Sequence, residues 1–93
     1  MTYQILKTNK FKKDIKTCVK RGLNPRDLEE VIDLLQKGET LPAHYCDHPL
    51  QPSKDYANCR ELHIKPDWLL IYKYSDSFLI LYLIRTGSHS DLF

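Results

Sequence analysis

Arg60-Glu61-Leu62-His63-Ile64-Lys65-Pro66-Asp67-Trp68-Leu69-Leu70-Ile71-Tyr72 decides the fold of this 93-residue chain. Residues 60–64 alternate, with Leu62 and Ile64 on one face and Glu61, His63 and Lys65 on the other, the period of a half-buried strand. Pro66-Asp67 is turn chemistry, and the run from Trp68 to Tyr74 is rich in β-forming residues, so the stretch reads as a hairpin. Downstream, Ser75-Asp76-Ser77 marks a second turn, and residues 78–85 are apolar on both faces, as in a central strand. The three runs predict an antiparallel meander. A short polar tail, Thr86-Gly87-Ser88-His89-Ser90-Asp91-Leu92-Phe93, follows and ends in an aromatic residue.

Upstream the period changes. Tyr3 and Ile5 fit a short N-terminal strand, and Thr8 or Asn9 can cap a helix whose apolar stripe is Phe11, Ile15, Cys18 and Val19. Gly22 stops that helix; Asn24-Pro25 starts another, with Leu28, Val31, Ile32 and Leu35 as its stripe, acidic Asp27, Glu29 and Glu30 in its first turn, and Gly38 at its end. The short connection predicts an antiparallel helix pair. Residues 39–57, with three prolines, predict an irregular ordered loop. The expectation is a single α+β domain over residues 1–93: an N-terminal strand that can join the meander as a fourth, the helix pair covering one face, then the meander and the tail.

Charge is uneven along the chain. The formal net charge is +2, yet residues 1–26 hold 8 basic side chains and 1 acidic, a local +7, while residues 27–50 hold 6 acidic and 1 basic, a local −5. Lys12, Lys13, Lys16, Lys20 and Arg21 recur along the first helix with few acids among them. Like charges at that spacing repel one another, so the stripe fits a polyanion such as RNA. The three cysteines, Cys18, Cys46 and Cys59, form no C-x-x-C pair and predict no disulfide framework. The first residues lack a signal-peptide pattern, and the longest apolar run is too short to span a bilayer, so a cytoplasmic protein without membrane attachment is expected.

Glu61 and His63 project from one face of a strand whose other face is apolar, which sets His63 apart from a core histidine. With Asp67 in the adjacent turn, His48 in the loop and His89 in the tail, the chain holds what RNA cleavage requires. RNA carries its own nucleophile, the 2′-hydroxyl. The protein has to supply a base for it, an acid for the leaving 5′-oxygen and a cation for the phosphorane charge. Arg60 and Arg85, near strand ends, are candidates for that cation. No cofactor is implied. A zinc site from His44, Cys46, His48 and Cys59 is disfavoured because no C-x-x-C or helical H-x-x-x-H spacing exists, so no metal ligands are assigned.

Asp47-His48-Pro49-Leu50, the segment from Arg60 to Tyr72, and Arg85-Thr86-Gly87-Ser88-His89-Ser90-Asp91-Leu92-Phe93 together resemble the YafQ toxins of the RelE/ParE superfamily, over nearly the whole chain. The resemblance implies a RelE-like, microbial RNase-like fold and a bacterial type II toxin. Such a toxin is a ribosome-dependent, metal-independent endoribonuclease that cuts mRNA. A cognate antitoxin, DinJ-like and of ribbon-helix-helix type, would neutralise it, and operator DNA would be met only through that complex. Carried over position by position, His48, His63, Asp67 and His89 fall on the family's catalytic residues and Phe93 on its functional C-terminal aromatic. Glu61 is the departure, since aspartate occupies that position in a member of the family. Expected roles are His89 as general acid, Asp67 as base, His48 and His63 as charge-stabilising groups, and Arg60, Arg85, Lys12, Lys13 and Lys16 as substrate-binding. Two other activities share these features: a ParE-like gyrase poison, which needs no histidine cluster, and a non-catalytic binding module acting with its antitoxin.

Overall fold

In the computed structural model, which describes residues 2–51 and 56–93, both long helices begin at the expected caps. The Thr8 side chain accepts from the Phe11 N–H to open α1 (Asn9–Lys20), and Asn24 accepts from Arg26 to open α2 (Pro25–Gln36), with Pro25 in its first turn. Gly22 adopts φ 86° just past α1, the left-handed conformation that lets the Leu23 N–H reach back to the Cys18 carbonyl. Phe11 and Cys18 are buried and Ile15 packs against the same core. Val19, expected on that stripe, is exposed.

The strands are β1 (Gln4–Lys7), β2 (His48–Pro49), β3 (Arg60–Lys65), β4 (Trp68–Ser75) and β5 (Ile80–Gly87), and they form one sheet in the order β1-β5-β4-β3-β2. The antiparallel meander β3-β4-β5 is as expected, and β1 joins it parallel to β5. Three features differ from the sequence reading. The expected loop contributes one 3-10 turn (Ala43–Tyr45) and a fifth strand, β2, antiparallel to β3; Pro52 and Ser53 of that loop lie outside the described residues. Phe78 and Leu79 belong to the β4–β5 turn, where Phe78 is 76% exposed, and β5 starts at Ile80. The polar tail folds into a third helix, α3 (His89–Leu92), closed by a capping box between Ser88 and Asp91.

The sheet has two covered faces. Leu62, Ile64, Leu70, Tyr72, Leu81 and Leu83 pack with Phe11, Cys18, Leu28, Val31 and Leu35 under the helices. Leu69 and Ile71 point the other way, into a smaller cluster with Tyr56, Cys59 and Leu92 of α3. The central strand is therefore β4, not residues 78–85: its first five residues are buried on both sides. Trp68 is locked between strands, its indole N–H on the Thr86 hydroxyl, which in turn donates to the Leu69 carbonyl. No helix among the described residues is long and apolar enough to cross a membrane.

Truncating a fully buried residue of this strand removes both transfer energy and packing. Leu70→Ala is expected to lower unfolding free energy by about 2–5 kcal/mol in urea titration, whereas Phe78→Ala at the exposed turn changes it by no more than about 0.5 kcal/mol.

Candidate active site

The register of the β-sheet assembles most of the site. His48 is the cross-strand partner of Glu61, Glu61 pairs with Ile71, and His63 pairs with Leu69. Directly paired residues share a face, so His48, Glu61 and His63 all stand on the face of the second cluster, away from the helices. Glu61 belongs on the expected face but is not exposed: only 7% of its side chain is accessible, between two imidazoles. Its Oε1 lies 3.3 Å from His48 Nε2 and 3.4 Å from His63 Nε2. The other ring nitrogen of His48, Nδ1, is 3.1 Å from the Pro49 carbonyl. A carbonyl only accepts, so Nδ1 carries the hydrogen, and in neutral His48 the Nε2 lone pair faces Glu61.

α3 brings the fourth histidine over this edge. The ring of His89 meets His63 edge-on with centroids 5.8 Å apart, and the His48 and His63 rings are 6.4 Å apart. Asp67, in the β3–β4 turn, holds His89 twice: Oδ1 accepts from its backbone N–H at 3.0 Å and contacts Nδ1 at 2.7 Å. These bonds, the backbone one foremost, hold the Asp67 carboxyl below its ordinary range. An ionised carboxylate on Nδ1 fixes the tautomer and turns Nε2 outward, the orientation a proton donor needs. Asp67 thereby orients the His89 ring.

α3 is anchored by a carboxylate the sequence reading did not single out. Asp91 accepts from the Ser88 N–H and is clasped by both terminal nitrogens of Arg21, at the end of α1. Arg21, then the Ser88 N–H, hold the Asp91 carboxyl well below its usual range. Gly87 is packed so closely that a Cβ there would sit 2.8 Å from Asp91 Oδ2. Phe93 is 63% exposed, with its ring edge-on to Tyr56 at 5.6 Å.

The two arginine candidates stand on opposite faces of the sheet. Arg60 shares a face with Leu62 and Tyr72, on the helical side, where it forks onto Asp47, which also takes the Tyr72 hydroxyl. Arg85 forks onto Asp14 of α1 at 2.6 and 3.0 Å. Both guanidiniums are held by carboxylates, but Arg85, the cross-strand partner of Ile71, stands on the face of the second cluster beside Tyr56, Ile84 and Leu92. Lys12, Lys13 and Lys16 are exposed on α1, which covers the opposite face of the sheet. The zinc set weighed from sequence does not form, since Cys59 is buried and Cys46 exposed in a different group. Among the described residues, the group able to hold a metal ion is His48, Glu61 and His63, whose ligand atoms lie within 4.8 Å of one another. Sequence spacing could not show it, because strand pairing creates it.

The mixed α+β fold is shared with solved toxins of bacterial toxin–antitoxin pairs. The Escherichia coli DinJ–YafQ toxin–antitoxin complex contains a chain 38% identical, with a TM-score of 0.89, covering 100% of this chain and 99% of that one. A metal-bound toxin from Helicobacter pylori is 40% identical, with a TM-score of 0.90 and full coverage of both chains. The mRNA interferase toxin YafQ of E. coli BL21(DE3) is 41% identical over 87 residues, 92% of this chain and 90% of its own length. The family model for the bacterial toxin of type II toxin–antitoxin systems, YafQ, matches residues 3–93. The chain belongs to the YafQ toxin family.

The anchoring of α3 has a pH signature. Because the folded Asp91 carboxyl titrates below its unfolded value, its stabilisation is fully present above the unfolded value near 3.8 and is lost as pH falls through the folded one. Asp91→Asn is therefore expected to melt below wild type at neutral pH. The gap in melting temperature should narrow steadily as the solution is acidified below about pH 4.

Proposed function

We propose that this chain is an endoribonuclease toxin that cuts mRNA at the ribosome and halts translation, held in check by a cognate DinJ-like antitoxin in the cytoplasm. Support comes from the relatives named as mRNA interferases, but the observation that carries the reading is geometric. An Asp67–His89 pair faces a Glu61–His63 pair across 5.8 Å between the two imidazole rings. Two oriented imidazoles at that separation fit acid and base on either side of one phosphodiester.

In the reaction, one histidine accepts the 2′-hydroxyl proton while the oxygen attacks the adjacent phosphorus. His63 is placed for this: Glu61 contacts its Nε2 and stabilises the imidazolium that forms. His89, oriented by Asp67, donates its Nε2 proton to the departing 5′-oxygen. The products are a 2′,3′-cyclic phosphate and a 5′-hydroxyl. His48, beside Glu61, and Arg85, which shares that face through its pairing with Ile71, are the groups that supply positive charge. Exposed Phe93 is the aromatic surface on which a base stacks. His48, Glu61 and His63 are also the residues that would hold a metal ion, which would supply there a fixed positive charge in place of protons.

The lysines of α1 serve docking instead. They stand on the layer over the far side of the sheet, so the phosphates they meet are those of ribosomal RNA. Operator DNA is engaged only together with the antitoxin.

His89→Ala is expected to reduce cleavage of ribosome-bound mRNA by at least about 100-fold while its thermal melt stays within a few degrees of wild type. Mass spectrometry of wild-type products should find cyclic phosphate at the 3′ ends; 3′-hydroxyl ends would eliminate the 2′-hydroxyl mechanism. Reversing Lys12, Lys13 and Lys16 to Glu should weaken ribosome sedimentation and leave antitoxin affinity unchanged. Equal losses in both would remove the docking role.

A further inference from the structure

We propose that Arg21, at the C-terminal end of α1, is a positioning residue for His89: it acts through Asp91, and its charge keeps α3 seated over the histidine cluster. The effect on cleavage rests on the nuclease reading above; the seating of α3 does not. Isolated helices shorter than about 12–15 residues are marginal in water, and α3 has four residues. It therefore keeps only the place its tethers give it. Leu92 in the second cluster and the Tyr56 hydroxyl on the Leu92 carbonyl hold its C-terminal end. The N-terminal end, which carries His89, is held by two carboxylates: Asp67 on the His89 backbone N–H and ring, and Asp91, which closes back on the Ser88 N–H.

Both carboxylates accept these bonds best when ionised, yet the Asp91 charge works against the ionised form of Asp67. Arg21 is the cation that offsets the pair. Its Nη1 and Nη2 donate to Asp91 Oδ2 and Oδ1 at 2.5 and 3.0 Å, a bidentate fork, and its charge also reaches Asp67. The guanidinium is placed by helix geometry, since Arg21 caps α1 with its backbone N–H on the Thr17 and Cys18 carbonyls. Gly87 lacks the Cβ that would come within 2.8 Å of Asp91 Oδ2, so the carboxylate can reach Arg21 and Ser88 together.

By sequence Arg21 belongs with the lysines of α1 as a residue for a polyanion. The structure separates them: Lys12, Lys13 and Lys16 are exposed on α1, whereas the Arg21 side chain is engaged with α3, 70 residues further along the chain. The two roles leave different kinetic signatures. Loss of an RNA contact weakens binding to the ribosome. Loss of a positioning residue slows the bound complex, because a displaced proton donor costs turnover and not affinity.

The test measures cleavage of ribosome-bound mRNA and amide hydrogen exchange in the same full-length variants, well below their melting temperatures. Arg21→Gln and Asp91→Asn should each lower the rate at saturating ribosome by about 10-fold, with the half-saturating concentration within about twofold of wild type. The double variant should fall no further than either single one, as partners in one interaction do. Arg21→Lys keeps a cation beside the carboxylates and should recover most of the rate. The Leu92 N–H, bonded to the Ser88 carbonyl, should exchange about 10-fold faster in the Gln and Asn variants, a larger change than at the Leu70 N–H of β4. Asp33→Asn, which breaks the exposed pair with Lys37, should alter neither rate nor exchange. An unchanged rate, weakened ribosome affinity at full rate, or losses that multiply in the double variant overturn the positioning role. A lysine variant as slow as the glutamine one overturns the part assigned to charge. Unchanged Leu92 exchange overturns the seating of α3. Faster exchange in the variants of a protein whose wild type cleaves nothing refutes the nuclease reading, while the seating stands.

Discussion

Two-sided burial of β4 is the constraint on which the rest of the molecule depends. Leu70 and Tyr72 face one way, Leu69 and Ile71 the other, and both pairs are removed from water. A strand of that kind needs a cover on each side of the sheet. α1 and α2 form the larger one. The smaller is improvised from Tyr56, Cys59 and Leu92, and because Leu92 is on α3, the packing that completes the second core also delivers His89 to the site. Placement of a candidate catalytic group is here a by-product of covering a hydrophobic face.

The same two-sidedness sorts the polar residues by task. Arg60 sits with the helices and binds Asp47, while Arg85, on the other face, binds Asp14 of α1. The histidines sit with the smaller cluster. Alternation along one strand, Arg60 to one side and Glu61 to the other, separates structural charge from chemical charge at adjacent positions.

Periodicity made the helices, their caps and the meander legible, because each depends on residues within a few positions of one another. The five-strand count was not legible. β2 has only two residues, one of them proline, and exists because β3 offers it an edge; no local pattern encodes that. α3 looked like a polar tail because a four-residue helix has no period to detect, although Ser88 and Asp91 carried its capping box in plain view. The individual site residues were readable as His48, Glu61, His63, Asp67 and His89, but their grouping was not. Which carboxylate meets which histidine depends on strand register and on where α3 docks, two long-range facts. The burial of Glu61 was hidden for the same reason: alternation places it opposite the main core, and only the second cluster reveals that this face is covered too.

The attachment of α3 separates two kinds of stability. The helix has four residues and is held by one apolar side chain, a Tyr56 hydroxyl on the Leu92 carbonyl, two contacts of Asp67 with His89, and the carboxylate of Asp91 shared between its own N-terminus and Arg21. The sheet is held by a continuous core. Local opening of α3 therefore requires much less free energy than unfolding of the sheet, and it removes His89 from the site while β3, β4 and β5 stay intact. Catalytic competence and foldedness are in this way two separate equilibria in one small chain. A population that is fully native by its sheet can still be partly disarmed, with the fraction set at the junction of α1 and α3.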